Sequence, residues 1–372
     1  MSIYDEIGLP RVINAAGSMT YLGGSLMHPE VLEAMRSAAG SYVFIEDLLK
    51  WASDEIAAHT GAEAGLVTTG TTGGLILAAA ACLTGTDRRR MQQLPDTRGF
   101  KAEVIMQKQH RISFDHAVRI AGAQIVEVGS QHETTLPDVE AALSDQTAAV
   151  LHMALEPQPT AALSEVAALA HAHGVPVIVD AAAELPPVSN LRAFLNEGAD
   201  LVVFSGGKAI CGPNDSGILC GRGDLIKAAT AQTFPNPGIG RALKVSKEQI
   251  VGLVYALRRF ANTNFESEAT RWQDRCQYMC DGLQGLACAR AEIAMATGGA
   301  RPLMIPRVRV VVDVDTLGKT LEQIDEELER GTPAMAVVMQ PRANELWLSP
   351  QHLQEGEAKV AADRLRAVLT PA

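Results

Sequence analysis

Short apolar runs alternate with amphipathic stretches through the middle of the chain. The apolar runs are rich in Val and Ile and have the length of buried strands, while the stretches between them repeat at helical spacing. Strand and helix alternation at this spacing predicts right-handed crossovers and a parallel or mixed sheet. The predicted strands are Glu103–Gln107, Gln124–Val128, Ala148–His152, Pro176–Asp180, Asp200–Ser205 and Ser216–Cys220, and the predicted helices include Ser113–Ala121, Leu136–Leu143 and Leu163–His173.

The pattern changes near Val245, where a long helical stretch begins and continues to Leu283. Shorter strands and helices follow, as in a small α+β domain. We expect an N-terminal segment (1–40) that packs on the small domain or on a partner subunit, a large domain (41–245), and linking helices with a small C-terminal domain (246–372). Beyond Leu283 the predicted strands are Val308–Val314, Ala336–Met339 and Leu346–Leu348, and the predicted helices are Leu321–Glu329 and Glu355–Leu369.

Length and charge narrow the class of protein. A chain of 372 residues is long enough for two domains and a large core. The net charge of −11 argues against nucleic acid and anionic membranes as partners, because both attract basic surfaces. Neither a basic-then-apolar leader nor an apolar run of about 20 residues is present, so we expect no signal peptide and no membrane anchor.

The six cysteines are scattered and form no C-x-x-C pair, a usage typical of reduced, cytoplasmic proteins. Cys276 and Cys280 lie four residues apart on a predicted helix, but no histidine lies near them in the sequence. Packing therefore explains them better than metal binding. The nine histidines show no H-E-x-x-H spacing. We expect no structural or catalytic metal.

A lysine follows the strand that ends in Phe204 and Ser205, after Gly206 and Gly207. An amine at a strand end, beside glycines that allow close approach, is typical of a lysine that forms a Schiff base with pyridoxal phosphate. The other interpretation of Lys208 is a surface turn.

A carboxylate ends another buried strand, at Asp180. Such a group can pair with the pyridinium nitrogen of pyridoxal phosphate and keep that nitrogen protonated, although an aspartate at a strand end also serves as a helix cap. The combination with Lys208 favours the cofactor, because the carboxyl ends of parallel strands are where ligands collect.

A third element is the Gly/Thr-rich stretch from Gly65 to Gly74, which leads into the apolar helix that begins at Leu75. A strand, a turn and a helix start place free backbone N–H groups and hydroxyls around an anion. The stretch lacks the spacing and the lysine of a nucleotide phosphate loop. A plain buried helix after a turn is the alternative.

Together these motifs resemble the group of fold-type I pyridoxal-phosphate enzymes that contains selenocysteine synthase (L-seryl-tRNA selenium transferase) and D-glucosaminate-6-phosphate ammonia-lyase. The matching stretches span most of the chain in the expected order. They are Arg11–Gly17, Thr68–Gly74, Val177–Asp180, Phe204–Lys208 with Gly212-Pro213, and Gly238–Val245.

The resemblance implies an aspartate aminotransferase-like α/β fold with a large, mainly parallel sheet domain and a small α+β domain. It implies that Lys208 carries the Schiff base, that Asp180 faces the pyridine nitrogen, and that the phosphate is held by Gly70, Thr71, Thr72 and Ser205. It also implies a homodimer or higher homo-oligomer with active sites at subunit interfaces. The Asn14 motif lies almost at the first residue, where selenium transferases carry extra sequence that handles tRNA, so tRNA is not an expected substrate.

Cationic residues are needed for the acid groups of a substrate. Arg241 is the first candidate, because a guanidinium can bind a carboxylate or phosphate through two hydrogen bonds. Lys244 and Lys247 are weaker candidates whose alternative is a solvated helix face, and Asn14 is a further substrate-binding candidate.

Two residues near the predicted strand ends have open roles. His110 is expected to stack on the cofactor ring, with Arg111 as its rival and an ordinary loop histidine as the alternative. Glu184, four residues after Asp180, either orients a catalytic proton or caps a turn.

The predicted function is α,β-elimination of a hydroxylated amino acid or amino sugar acid, giving a 2-keto acid and ammonia, with Lys208 as the general base. Racemisation and aldol cleavage are the nearest alternatives, followed by transamination and a selenium-transferase-like reaction. A protein of this fold that binds a ligand without turnover is the least favoured. The substrate, its stereochemistry and its phosphorylation are not readable from the sequence.

Overall fold

The computed structural model describes residues 2–154, 159–295 and 304–370. Its strands, in chain order, are β1 (Val12–Asn14), β2 (Ala64–Thr69), β3 (Glu103–Gln107), β4 (Gln124–Val128), β5 (Thr147–Met153), β6 (Val177–Asp180), β7 (Leu201–Ser205), β8 (Ser216–Gly221), β9 (Ala289–Met295), β10 (Pro306–Val312), β11 (Ala334–Ala336), β12 (Val338–Gln340) and β13 (Glu345–Leu348).

The helices are α1 (Ile3–Glu6), α2 (Pro29–Ala39), α3 (Ile45–Thr60), α4 (Gly70–Thr84), α5 (Arg88–Gln93), α6 (His116–Ile120), α7 (Leu136–Ala142), α8 (Leu163–Ala172), α9 (Asn190–Asn196), α10 (Gly223–Gln232), α11 (Lys247–Ala261), α12 (Phe265–Gly282), α13 (Val314–Leu317), α14 (Leu321–Glu329) and α15 (Glu357–Val368). Short 3-10 turns occupy Thr20–Leu22, Lys108–His110 and Pro341–Ala343. Among the described residues, no helix combines the length and apolar character needed to cross a membrane.

The chain forms two compact units. The larger unit comprises Met27–Thr263, and the smaller combines residues up to Leu26 with most of the chain after Asn264. This division differs from the sequence-based limits at residues 40 and 245. The difference at the second limit arises because α11 packs against α2 and α3, and an amphipathic pattern does not say against which elements a helix packs.

The larger unit is built on a seven-stranded sheet in the order β2-β8-β7-β6-β5-β3-β4. All neighbouring strands are parallel except β8, which runs antiparallel to both β2 and β7. Helix α4 lies against this sheet and is buried along almost its whole length. Gly74 permits the close approach, because a side chain there would lie 2.8 Å from Val203 of β7.

The smaller unit contains a four-stranded antiparallel sheet in the order β12-β13-β10-β9, together with the parallel pair β1 and β11. Helices α12 and α15 pack together, and α12 packs on β9 and β10. Their shared core includes Cys276, Val308 and Leu365. Strand β1 brings the start of the chain onto this unit.

The large-domain strands predicted from the sequence agree with the structure to within one residue at each end. Three differences stand out. The helical stretch after Val245 is two helices, because Asn264 caps the start of α12 with its side chain. Strand β9 was not predicted. Helix α4 begins at Gly70 rather than after Gly74, so the Gly/Thr residues form its first turn.

Candidate active site

The residues predicted to bind the cofactor lie where the strands of the larger sheet end. Strands β3, β5, β6 and β7 are parallel, so their carboxyl ends meet at one edge. Strand β2 ends at the same edge, because β8 runs antiparallel between it and β7. Asp180 at the end of β6 pairs with Met153 of β5 on one side and with Val203 of β7 on the other.

The loop that carries Lys208 turns back tightly on itself. A side chain at Gly206 would lie 2.2 Å from Ser216 Oγ, and one at Gly207 would lie 2.5 Å from Asn214 Cα. The Gly206 N–H donates to the Ser216 carbonyl over 2.9 Å. Only glycines fit these two positions without moving the facing backbone at Asn214 and Ser216. The loop therefore fixes where the lysine begins.

Lys208 is partly buried and lies within electrostatic range of two carboxylates. Burial lowers the pKa of its amine, while Asp180 and Glu184 act in the opposite direction. Within the described part of the chain, the Lys208 Nζ forms no hydrogen bond. The amine thus loses a proton more readily than a surface lysine and has carboxylates close by.

Asp180 and Glu184 are held by one short turn. Asp180 Oδ1 accepts a hydrogen bond from the Ala182 N–H at 3.0 Å, and Asn190 Nδ2 donates to the Glu184 carbonyl at 2.7 Å. Both acidic residues are buried, at 6% and 2% exposure. Burial raises the pKa of Asp180, against the Ala182 N–H and the Lys208 charge, which lower it. A cationic partner would therefore stabilise Asp180 as a carboxylate.

The start of α4 is open to an anion. Thr69 occupies the N-cap position without a side-chain cap, because its hydroxyl donates to the Leu243 carbonyl at 2.7 Å. The hydroxyls of Thr71 and Thr72 make no hydrogen bond to any described residue. Gly70 has a φ of +61°, which favours glycine. Free N–H groups, hydroxyls and the positive end of the helix dipole meet here.

Gly217 of β8 makes this arrangement possible, a role that was not assigned from the sequence. It pairs with Thr68 on one side and with Ser205 on the other, so the three residues form one row across the sheet. A side chain at Gly217 would lie 2.5 Å from the carbonyl carbon of Gly70. A glycine inside a strand is the available signal, since it often marks a close backbone approach.

The groups at this edge fit a cofactor that carries an aldehyde, a pyridine nitrogen and a phosphate. Lys208 offers the amine and Asp180 a buried carboxylate. The first turn of α4 and the hydroxyl of Ser205, which is unbonded among the described residues, offer donors for a phosphate.

His110 lies at the same edge, directly after β3. Its Nδ1 accepts a hydrogen bond from the Met153 N–H at 3.3 Å, and its ring packs edge-on against His152, 4.5 Å away. Burial lowers the pKa of His110 to about 4, so the ring is neutral at pH 7 and carries its proton on Nε2. Its rival Arg111 is engaged by Asp115 and Glu127.

Arg241 and Lys244 are exposed and belong to the segment that reaches the start of α4 through Leu243. Arg241 lies over the Phe234 ring, 5.3 Å from its centroid. Lys247 is used differently: its Nζ donates to the Ala38 carbonyl at 2.5 Å and to Glu248 at 2.7 Å. Lys247 therefore stabilises the end of α2.

Asn14 belongs to the smaller unit, where its amide organises a turn. Its Oδ1 accepts from the N–H groups of Ala16 and Gly17, both at 3.0 Å, and its Nδ2 donates to the Gly17 carbonyl at 2.9 Å. Its role in substrate binding stays a prediction. Among the described residues, no group of three or more His, Cys, Asp or Glu side chains is arranged to hold a metal ion.

The family described as SelA, L-seryl-tRNA selenium transferase, matches residues 12–272. The D-glucosaminate-6-phosphate ammonia lyase of Salmonella typhimurium is 34% identical over 375 residues, which cover 99% of this chain and 98% of that protein. A 5'-C-glycyluridine monooxygenase-decarboxylase of a Streptomyces species is 35% identical over 341 residues, covering 89% of this chain and 83% of that protein.

A solved structure of D-glucosaminate-6-phosphate ammonia-lyase superposes on the chain with a TM-score of 0.88 at 33% identity, covering 99% of this chain and 98% of the other. The resemblance read from the sequence is thereby confirmed, as is the fold-type I class. The chain belongs to the L-seryl-tRNA selenium transferase (selenocysteine synthase) family.

Proposed function

We propose that this protein is a pyridoxal-phosphate-dependent ammonia-lyase that acts on a hydroxylated amino sugar acid resembling D-glucosaminate-6-phosphate. The observation that carries the proposal is the similarity to the Salmonella ammonia lyase, which extends over 99% of this chain and 98% of that protein. The net reaction breaks the Cα–H and Cβ–O bonds, forms a Cα=Cβ double bond and releases water. The resulting enamine then takes up one water and gives a 2-keto acid and ammonia.

The cofactor is pyridoxal phosphate, as the sequence predicts. When bound, it supplies an electron-withdrawing ring that stabilises negative charge at the substrate α-carbon. Asp180 would hold the ring nitrogen in its protonated form, and Lys208 would hold the aldehyde carbon. Gly70, Thr71, Thr72 and Ser205 would hold the phosphate.

Lys208 Nζ is the proposed general base for the α-proton. Burial lowers its pKa, and a base is most effective when its pKa lies near the working pH. Glu184 is proposed to share the proton that Lys208 accepts, because its carboxylate is buried and acts electrostatically on that amine. This assigns Glu184 a positioning role.

Arg241 and Lys244 are the proposed partners of the substrate's acid groups. Both are exposed on the segment that contacts the start of α4, and neither forms an ion pair with a described residue. A phosphorylated sugar acid carries two anionic groups, which suits two neighbouring cations. Asn14 remains a further proposed substrate contact. His110 is proposed to stack on the cofactor ring as a neutral imidazole.

The test is an assay of ammonia and 2-keto acid release from D-glucosaminate-6-phosphate, from its unphosphorylated form and from D- and L-serine. Equimolar ammonia and keto acid from the phosphorylated sugar acid, with slower release from the others, is the expected result. Racemised or aldol-cleaved amino acid without ammonia would contradict the proposal. Lys227→Ala serves as the matched control for Lys208→Ala, because Lys227 is exposed on α10.

A second candidate is suggested by the Streptomyces relative, which is 35% identical and is named a monooxygenase-decarboxylase. An enzyme of that kind would consume oxygen and release carbon dioxide from a glycyl compound. Oxygen uptake measured with an electrode therefore separates the two candidates, because elimination consumes none.

We further propose a cytoplasmic location and a homo-oligomer with active sites at subunit interfaces. All six cysteines are free thiols, as is usual in a reducing compartment. The loop before α3 exposes Tyr42 and Phe44 at 104% and 82%, and such aromatic patches are typical of interfaces. Analytical ultracentrifugation of wild type and Tyr42→Ser tests the assembly; a monomer in both would contradict it.

A further inference from the structure

Two arginines lie two residues apart on β10 and share one face of the smaller unit's sheet. The burial of β10 alternates, with Val308 and Val310 in the core and Arg307 and Arg309 on the opposite face. The two side chains thus begin from the same strand and the same face. Their surroundings differ.

Arg309 is fully paired across the sheet. Its cross-strand neighbour on β9 is Glu292, whose carboxylate lies 2.8 Å from the Arg309 Nη1. On its other side it contacts Glu345 of β13. These two carboxylates raise the pKa of Arg309.

Arg307 has no acidic residue directly opposite it on β9, and the diagonal Glu292 is already paired with Arg309. The cross-strand partner of Arg307 on β9 is Ala294. On the other side, the strand pairing ends at Val308 and Leu348, and its continuation by one residue past β13 would bring Ser349 opposite Arg307. In the described ranges 2–154, 159–295 and 304–370, the Arg307 side chain forms no hydrogen bond and no ion pair, and its Nε is buried without a partner. Burial lowers the pKa of this guanidinium.

A partly buried guanidinium without a counter-charge is unfavourable, because desolvation weakens its hydration and nothing replaces it. An anion from solution would supply the missing partner. Ser349 adds a second group: its Oγ accepts from the Gln351 N–H at 3.4 Å, which leaves its own O–H to donate. A guanidinium fork, with this hydroxyl as a second donor, would match the two oxygens of a carboxylate. A phosphate dianion would need more positive charge than one arginine offers.

We propose that Arg307 binds the carboxylate group of a small organic acid. The carboxylate lies against the guanidinium fork, and the Ser349 hydroxyl is the neighbouring donor.

Binding of ¹³C-labelled acetate by the full-length protein, measured by NMR line broadening, tests this site without turnover, so its result is independent of the proposed function. Wild type is expected to bind acetate, and Arg307→Gln to bind it at least tenfold more weakly. Arg290→Gln is the matched control, because Arg290 is on the neighbouring strand and 84% exposed, and it should bind like wild type. Arg307→Lys keeps the charge without the fork and should be intermediate. Any of three results would overturn the proposal. These are equal acetate binding by wild type and Arg307→Gln, no acetate binding by wild type, and displacement of acetate by an equal concentration of inorganic phosphate.

Thermal unfolding without acid gives a second readout. A structural arginine stabilises the fold, whereas removal of an unpaired buried charge leaves the Tm unchanged or raises it. A lower Tm for Arg307→Gln in the absence of carboxylate would overturn the proposal. The source of the acid is decided by the ammonia-release assay. A raised KM in Arg307→Gln assigns the carboxylate to the amino acid substrate, and an unchanged KM assigns it to a separate acid.

Discussion

The buried edge of the larger sheet and the exposed segment around Arg241 differ in how tightly their residues are packed and in the roles proposed for them. Asp180 is buried, and the glycines of the Lys208 loop and of β8 fit so closely that a single added carbon would collide with backbone or side chain. Arg241 and Lys244 are exposed, so their replacement should leave the core unchanged. The difference suggests that the type of reaction depends on tightly packed residues, whose replacement would destabilise the fold. Substrate choice, in contrast, depends on exposed side chains that can be replaced with little loss of stability.

The strongest test of the buried edge is Lys208→Ala. Removal of the proposed base and cofactor anchor should lower kcat by roughly 10²- to 10⁴-fold or more, because base catalysis alone contributes about that much. Ammonia release and the visible absorbance of the bound cofactor are the measurements. Retained turnover with retained absorbance would show that another residue is the base and the cofactor anchor.

Gly217→Ala should have the next largest effect. The added carbon would lie 2.5 Å from the Gly70 carbonyl carbon, so the first turn of α4 must shift. We expect a loss of about 1–3 kcal/mol in the free energy of unfolding and at least a roughly tenfold weaker affinity for pyridoxal phosphate, by the conversion of about 1.4 kcal/mol per tenfold. Calorimetry and cofactor titration measure both.

Gly40→Ala is the control for this variant, because a side chain there meets its nearest neighbour at an ordinary 3.6 Å. It should bind the cofactor like wild type. Equal cofactor affinity in Gly217→Ala and Gly40→Ala would show that Gly217 does not contribute to the proposed phosphate site.

Variants of the exposed segment should act on substrate and leave the cofactor alone. Arg241→Gln should raise the KM for a phosphorylated sugar acid by about ten- to a hundredfold, since a charged hydrogen bond is worth about 1.5–3 kcal/mol. Lys244→Gln should have a smaller effect, and Lys247→Gln, whose lysine already bonds the Ala38 carbonyl, should leave the KM unchanged. A loss of cofactor affinity in Arg241→Gln would contradict the proposal that the exposed segment acts on the substrate alone.

The smallest effect is expected for Glu184→Gln. It should appear as a shift in the pH at which Lys208 becomes reactive. Glu184 raises the pKa of Lys208, so its neutralisation should lower that pKa and make the amine reactive at lower pH. The rate at which Lys208 of the cofactor-free protein is acylated, followed by mass spectrometry across pH, measures the shift. An unchanged profile, or one moved to higher pH, would leave Glu184 with a purely structural role in its turn.

Much of the fold follows from the sequence because the large-domain strands are continuous apolar runs with turn residues between them. Strand β9 was missed because Ala289–Met295 mixes charged and small residues and none of its residues is fully buried. The start of α4 was placed too late because glycine and threonine disfavour helices locally, whereas contacts with β7 and β8 hold them in one.

The site shows a similar limit. Asp180 and Lys208 stand out because Asp180 ends β6 and Lys208 follows β7 after two glycines, and the structure brings both to one edge. Arg307 did not stand out, because its sequence context resembles that of Arg309 two residues later. Only the strand register reveals that Arg309 faces Glu292 on β9, whereas Arg307 faces Ala294.

A phosphate bound at the uncapped start of α4, as proposed, would link the stability of the fold to the supply of vitamin B6. The helix lacks a side-chain cap at Thr69, so a bound phosphate would act as a removable cap and stabilise only the folded chain. By mass action, cofactor at a hundred times its Kd adds about 2.7 kcal/mol to the stability of the folded state. A cell short of vitamin B6 should therefore contain less of this protein as well as less active enzyme, because the cofactor-free chain is unfolded and degraded more often.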